Sequence, residues 1–191
     1  MRIVVTGFEP FGGRERNLSW DVAARVASHG CPAGLVKAVM LPVSFSRVIV
    51  AVSDMLRDMR PDAVLMLGLA PKRKRISVER LAVNLQDARQ PDNDGAMPVD
   101  TPVFPDGEDA LFSTLPVKSV ANAINVIGAD ADVSDSAGLY VCNTAFYTAL
   151  HCTRTSPILT GFIHLPDMPV ETAVNAVSAA LEHIQRLPCQ K

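Results

Sequence analysis

The sequence has no long apolar run. Its most apolar stretch, residues 63–70, falls far short of the ~18 residues that cross a bilayer, so no membrane partner is expected. It also has no surplus of positive charge: 18 Lys and Arg stand against 20 Asp and Glu, for a net charge of −2. Proteins that grip nucleic acid by its phosphates carry a basic excess, so nucleic acid is not an expected partner either. The four cysteines, Cys31, Cys142, Cys152 and Cys189, contain no CxxC pair, which removes zinc ribbons and thioredoxin-like redox motifs. The opening MRIVVTGFEPFGG holds only about four apolar residues in succession, too few for a cleavable signal. Free thiols in a cytoplasmic protein are the expectation. Internal repeats and a linker are absent too, so residues 1–191 are expected to form one domain. With 48% hydrophobic and 20% charged residues, the composition is that of a globular chain.

Two ligand motifs are begun and not completed. Gly7 and Gly12 have the spacing of a Walker A loop, but Gly13 and Arg14 stand where Lys and Ser/Thr are required. Rossmann spacing fails in the same loop. Phe8, Pro10 and Phe11 make it apolar, suited to a flat uncharged ligand or to a packed strand-to-helix turn. PDNDG at residues 91–95 brushes the calcium-loop pattern, but Gln90 and Thr101 occupy its first and twelfth positions and neither can serve. No metal or organic cofactor is implied.

What is present is an alternation of apolar runs with helical patterns, the signature of an α/β protein. RIVVTG, GLVKAVML and DAVLMLGLA read as strands, the last continuous enough in apolar character to be buried on both faces. SWDVAARVASHG reads as a helix capped by Ser19 and ended by Gly30. Val48, Val52, Met55, Leu56 and Met59 follow helical spacing up to Pro61. Residues 76–85 read as a further strand whose alternation slips near Glu79 and Arg80, predicting a bulge or bend there. Residues 86–116 form a long Pro-, Asp- and Gly-rich loop, of the kind that is more often functional than idle. PVKSVANAINVIG and LYVCNTAFYTALHC read as helices, SPILTGFIHLP as a strand ending at His164, and residues 169–185 as the last helix.

Three residues stand out chemically. Cys142 falls in the first turn of its helix, where the helix dipole favours an anion and lowers a thiol pKa. The unpaired amides of that turn could receive an oxyanion. The same cysteine also reads as a small buried hydrophobe. His164 closes an apolar strand at its carboxyl end, where α/β proteins place ligands. It reads as a general base for a thiol or as a histidine held by loop hydrogen bonds. Glu79 is a lone carboxylate in an apolar strand. It either faces solvent at an edge or pairs with a cation or imidazole, since an unpaired buried carboxylate is costly. His29 and His183 read as surface residues, and His151 and Cys152 as helix packing. The run Lys72-Arg73-Lys74-Arg75 reads as a solvated loop on a mildly acidic protein; the alternative is a non-catalytic protein that binds an anion through this loop.

Taken in order, VTGFEPFGG, SVERLAVNLQDARQPDNDG, FSTLPVK, AGLYVCN and GFIHLP resemble the pyroglutamyl peptidase I family, also called pyrrolidone-carboxylate peptidases. The match runs nearly end to end. The resemblance implies a three-layer α/β/α sandwich around a twisted mixed sheet, assembled as a homotetramer. It implies a cysteine peptidase that removes an N-terminal pyroglutamyl residue from peptides through a thioester. It places the nucleophile on Cys142, the general base on His164 and the third member on Glu79. It further assigns Arg89 to the oxyanion region and Phe8 and Phe11 to the lactam ring, with Leu69, Tyr140 and Val141 also in the substrate site.

The chain departs from the family's usual residues around the pocket. Gly68-Leu69-Ala70-Pro71-Lys72-Arg73 stands where the family commonly reads G-Q-A-G-G-R. Gln90 replaces an isoleucine after DAR, and Val43 replaces a threonine after LP. A lost hydrogen-bonding group in such a site can change discrimination by ~10⁴-fold. The resemblance therefore leaves two substrate classes open: pyroglutamyl peptides, or another N-blocked peptide or small amide.

Overall fold

The computed structural model describes residues 1–28 and 35–187. His29, Gly30, Cys31 and Cys189, which figure in the sequence reading, lie outside them. The first strand, β1 (Arg2–Phe8), is buried from Ile3 onward. It leads through the GFEPFGG loop into α1 (Leu18–Ser28). This helix is capped by Asn17 rather than by Ser19: the Asn17 side chain accepts the Ser19 amide at 3.1 Å. Asn and Ser cap about equally well, and here Ser19 has another task. Its hydroxyl accepts the Phe8 amide at 3.0 Å and donates to Asn17 at 2.8 Å, so it stitches the helix start to the end of β1.

β2 (Leu35–Leu41) is followed by α2 (Phe45–Met59). Ser44 caps α2 by accepting the Arg47 amide, and Arg60, left-handed at φ 42, ends it before Pro61. β3 (Ala63–Leu69) is buried throughout. Its alternating residues feed both faces: Leu65 and Leu67 join one core cluster, Val64 and Met66 the other.

The predicted strand over residues 76–85 is two strands in two different sheets. β4 (Ile76–Glu79) belongs to the main sheet, and β5 (Leu81–Val83) pairs antiparallel with β6 (Ala110–Phe112) in a small second sheet. The slip in alternation thus marks a change of sheet at Arg80, not a bulge inside one strand. The chain continues through α3 (Val117–Val126), β7 (Ala131–Ser134), α4 (Val141–Thr153), β8 (Leu159–Leu165) and α5 (Val170–Gln185). β6 and β7 have no counterpart in the sequence reading. They are three and four residues long, too short to show a period.

Among the described residues, the main sheet has six strands in the order β2-β1-β3-β8-β4-β7. β2, β1, β3 and β8 run parallel, β4 is antiparallel to β8, and β7 is parallel to β4. α1, α3 and α5 contribute to one core cluster with one face of the sheet, and α2 and α4 to the other cluster. The result is the expected α/β/α sandwich on a mixed sheet. Among the described residues, no helix is long and apolar enough to cross a membrane.

Candidate active site

The carboxyl ends of β1, β3 and β8 lie side by side, and a cavity of about 600 Å³ opens there. Such an edge is where open α/β sheets bind ligands. Phe8 comes from the end of β1, Leu69 from the end of β3 and His164 from the penultimate position of β8. The start of α4 brings Tyr140, Val141 and Cys142 to the same cavity, and the intervening loops bring Phe11, Val43, Arg89 and Gln90. All six expected substrate-site residues, Phe8, Phe11, Leu69, Arg89, Tyr140 and Val141, therefore meet Cys142 and His164 in one pocket.

Glu79 does not line the cavity; it stands behind His164. The reversal of β4 puts it there. Glu79 faces Phe162 across the β4–β8 pair, and His164 lies two residues further along β8. Residues so related share a face, and diagonal neighbours are within reach of a long side chain. Glu79 is fully buried and His164 nearly so, and their Oε1 and Nδ1 atoms are 2.7 Å apart. That hydrogen bond leaves Nε2 as the ring nitrogen free for chemistry. Of the two readings for Glu79, the paired one holds, and the edge of the sheet is β7 instead.

The imidazole also depends on Gly68. A Cβ there would come within 2.8 Å of His164 Cδ2 and 2.9 Å of Nε2, so only glycine lets the ring lie across β3.

α4 begins with Tyr140 in extended geometry and no side-chain cap. Its first carbonyl-bonded amides are those of Asn143 and Thr144, both to Tyr140. The Val141 and Cys142 amides have no carbonyl partner among the described residues and remain available to an anion. Asn143 locks this end in place: it accepts the Val83 amide at 3.0 Å and donates to the Val83 and Leu85 carbonyls at 2.8 and 3.0 Å. α4 is thereby tied to the strand that follows Glu79.

The protonation states differ from the expectation of an acidic thiol. Burial, and after it the Glu79 charge, pushes the Cys142 thiol up to about 12; Arg73 and the residue's own amide pull it back. Burial also holds His164 below its ordinary 6.5, with Arg73 adding to the depression and the Glu79 hydrogen bond and charge opposing it. At neutral pH the pocket thus holds a thiol and a neutral imidazole at rest. The helix start still favours an anion, but desolvation outweighs it until a proton acceptor is in play.

The opposite wall of the pocket is aromatic and fixed. Tyr140 packs edge-on against Phe45 at 5.3 Å and tilts toward Phe11 at 6.4 Å, while its hydroxyl donates to the Pro91 carbonyl at 2.9 Å. The long loop holds this wall. Asp92 is buried and accepts the amides of Phe45, Asp94 and Ala96. Glu9 accepts the Val43 amide at 2.9 Å and the Asn93 side chain at 3.0 Å.

Sequence reasoning missed Asp92, Glu9 and Arg73. The first two had a signal in the turn-forming PDNDG and the first loop. Arg73 was hidden in its charge run. It is engaged rather than free in solvent: its Nη1 lies 2.7 Å from Glu79 Oε1, and its Nη2 donates to the Ser136 carbonyl at 2.8 Å. Arg75 pairs with Asp130 at 3.0 Å, so half of the basic run is engaged within the protein. His151 stacks on Phe104 at 4.4 Å, in keeping with a packing role. His183 is half-buried and 2.9 Å from the Ser119 hydroxyl, not a surface residue as expected.

Known proteins resemble this chain in sequence and in fold. A model of the pyroglutamyl peptidase family matches residues 1–186. The pyrrolidone-carboxylate peptidase of Streptomyces coelicolor is 42% identical over 100% of this chain and 94% of its own. That of Thermococcus onnurineus is 39% identical over 95% of this chain and 98% of its own. Among solved structures, a mutant pyrrolidone carboxyl peptidase from P. furiosus superposes with a TM-score of 0.94 at 35% identity, covering 98% of this chain and 100% of that one. Bacillus amyloliquefaciens pyroglutamyl peptidase I gives 0.88 at 31% identity, over 94% of both chains. By its sequence over nearly its whole length, and by its fold, the chain belongs to the pyroglutamyl peptidase family.

Proposed function

We propose that this protein is a cysteine peptidase that hydrolyses the bond after an N-terminal pyroglutamyl residue. The observation that carries the reading is the buried Glu79–His164 hydrogen bond of 2.7 Å, with His164 opening into the same apolar pocket as Cys142. Pyroglutamate is a neutral lactam, so its ring suits the walls formed by Phe8, Phe11, Tyr140 and Val141.

In this mechanism Glu79 fixes the tautomer of His164, leaving Nε2 to accept the proton of the Cys142 thiol as sulfur attacks the acyl carbon. The resting thiol and neutral imidazole favour this concerted transfer over a standing ion pair. The carbonyl oxygen becomes an oxyanion held by the Val141 and Cys142 amides and by Arg89. His164 then passes its proton to the leaving amine as the C–N bond breaks, which leaves a thioester. A water molecule, deprotonated by His164, adds to the thioester; sulfur departs with the returned proton and pyroglutamate is released. None of these steps calls for a metal or an organic cofactor.

The same reading treats the chain as one peptidase domain acting in the cytoplasm as a homo-oligomer, with the tetramer that the resemblance implies. Its partners are N-terminally pyroglutamylated peptides.

A second reading keeps the thiol chemistry and shifts the acyl group, because Val43, Leu69 and Gln90 face the pocket where the family's usual residues differ. One panel separates the two. Purified protein is assayed on pyroglutamyl, prolyl, N-acetylalanyl and N-acetylprolyl aminomethylcoumarins, with and without iodoacetamide. Thiol-sensitive turnover that is highest on the pyroglutamyl amide supports the first reading. Higher turnover on an acyclic or N-acetylated amide supports the second, and turnover indifferent to alkylation with iodoacetamide mapped onto Cys142 contradicts both.

A further inference from the structure

The basic run that first read as solvated contributes one residue to the interior of the site. Arg73 sits in the loop between β3 and β4, with about a quarter of its side chain exposed (26%), against none for Glu79. Its Nη1 and the His164 Nδ1 approach the same oxygen, Glu79 Oε1, each at 2.7 Å. Glu79 Oε2 is buried and has no hydrogen-bond partner among the described residues. The carboxylate is thus held from one oxygen by a cation on one side and an imidazole on the other. Arg73 reaches in the other direction as well, through Nη2 to the Ser136 carbonyl in the loop that leads into α4. One guanidinium therefore links the carboxylate strand to the approach of the nucleophile helix. Its planar fork suits two acceptors at once.

We propose that Arg73 is a positioning residue of the site, a fourth member in line with Glu79, His164 and Cys142, whose charge screens Glu79 from the thiolate while its fork aims the carboxylate at His164. The reason is electrostatic balance. A buried carboxylate beside a neutral imidazole is expensive without a cation. When the proton moves from Cys142 to His164, Glu79 steadies the new imidazolium but opposes the new thiolate. Arg73 has the reverse effect on both: it lowers the Cys142 thiol and disfavours charge on His164. With both present, each new charge has an opposite neighbour. Without Arg73, the thiolate forms against an unscreened carboxylate.

The other groups around Cys142 leave this part to Arg73. Tyr140, at the start of α4, is itself raised by burial, with smaller effects from Asp92 and Cys142. Lys72, Asp87 and Arg89 line the wider pocket but are exposed to solvent, where charges are screened.

This inference rests on the thiol–imidazole reading but not on the identity of the acyl group, and its deciding measurement, the labelling profile, needs no substrate. The rate of iodoacetamide labelling of the Cys142 peptide is followed against pH by mass spectrometry in the parent, Arg73→Met, Arg73→Gln and Arg73→Lys proteins. Both neutral variants are expected to move the profile to higher pH by about one unit, a roughly tenfold slower reaction at fixed pH. Arg73→Lys keeps the charge and is expected to keep the parent profile, while turnover falls several-fold because the fork is lost. A neutral variant that folds and labels with the parent's profile overturns the proposal. If circular dichroism shows both neutral variants unfolded, the lysine variant decides: a profile displaced by a unit or more overturns the proposal, and the parent's profile supports it. A parent protein that labels elsewhere and not at Cys142 would instead overturn the thiol reading itself.

Discussion

The two walls of the pocket are built differently. On one side, Arg73 and His164 close on the buried Glu79 carboxylate, the first by an ion pair and the second by a hydrogen bond, each 2.7 Å long. On the other, Phe8, Phe11, Tyr140 and Val141 meet the cavity with apolar surface, their positions set by backbone and packing. Such a polar cluster depends on every member, since removing one partner of a buried charge leaves it uncompensated. An apolar wall tolerates exchange of similar volume. This difference explains how the chain retains every reactive residue implied by the resemblance while Val43, Leu69 and Gln90 differ around the ring site.

The contrast is broken most sharply at Glu79. Glu79→Gln keeps the shape but removes the charge that supports an imidazolium, and it leaves Arg73 without its counter-ion. Turnover is expected to fall ~10³-fold, within the range set by neutralising the carboxylate of a catalytic triad. The melting temperature should fall too, by roughly 6–12 °C for about 3 kcal/mol. Steady-state kinetics and calorimetry on the same preparation check both, and a turnover within tenfold of the parent would contradict a role for Glu79 in orienting His164 and supporting its charge.

Gly68→Ala tests geometry alone. The added methyl falls within 3 Å of both the imidazole and the Phe162 ring, so the packing around His164 must shift, and kcat is expected to drop ~10²-fold. A variant with parent-like kcat would mean that the ring position is not critical.

The pH dependence is smaller in effect but direct in sign. His164 lies below 6.5 because burial disfavours its charged form. Protonation removes the base, so kcat/KM should hold steady as pH falls to 6.5 and decline only below it. Stability follows the same sign: the group is neutral when folded and takes up a proton more readily when unfolded, so its contribution is present above 6.5 and is lost as pH falls through the folded value. An acid limb centred at 7 or above would contradict the buried neutral imidazole.

On the apolar wall, Leu69→Gln should leave kcat within about threefold and change KM for the pyroglutamyl substrate by only about 2–10-fold. A loss as deep as that of Glu79→Gln would erase the distinction between the walls.

The parts of the molecule legible in the sequence are those with a long period or a strong punctuator. α2 could be read from Val48, Val52, Met55 and Leu56, with Ser44 and Pro61 as its limits, and β3 from its unbroken apolar run. Cys142 was legible because a helix began around it, and His164 because an apolar strand ran up to it. The rest turns on partners far along the chain. The pairing of Glu79 with His164 spans 85 positions and depends on the reversed direction of β4, which no local pattern encodes. The change of sheet at Arg80 appeared only as a slip in alternation. Arg73 looked like any member of a charged loop, because only tertiary contacts draw one of four adjacent cations toward Glu79. The thiol ran opposite to its helix-based expectation because burial, a property of the assembled fold, outweighed the local dipole.

The most direct test of the account joins its two walls in one reagent. A pyroglutamyl chloromethyl ketone presents the lactam to the aromatic side and an electrophile to the sulfur. Peptide mapping after inactivation is expected to find one adduct per chain, on Cys142, formed faster than with the prolyl analogue and in step with the loss of activity. Adducts on Cys152 or elsewhere, or an equal rate with the prolyl analogue, would contradict it.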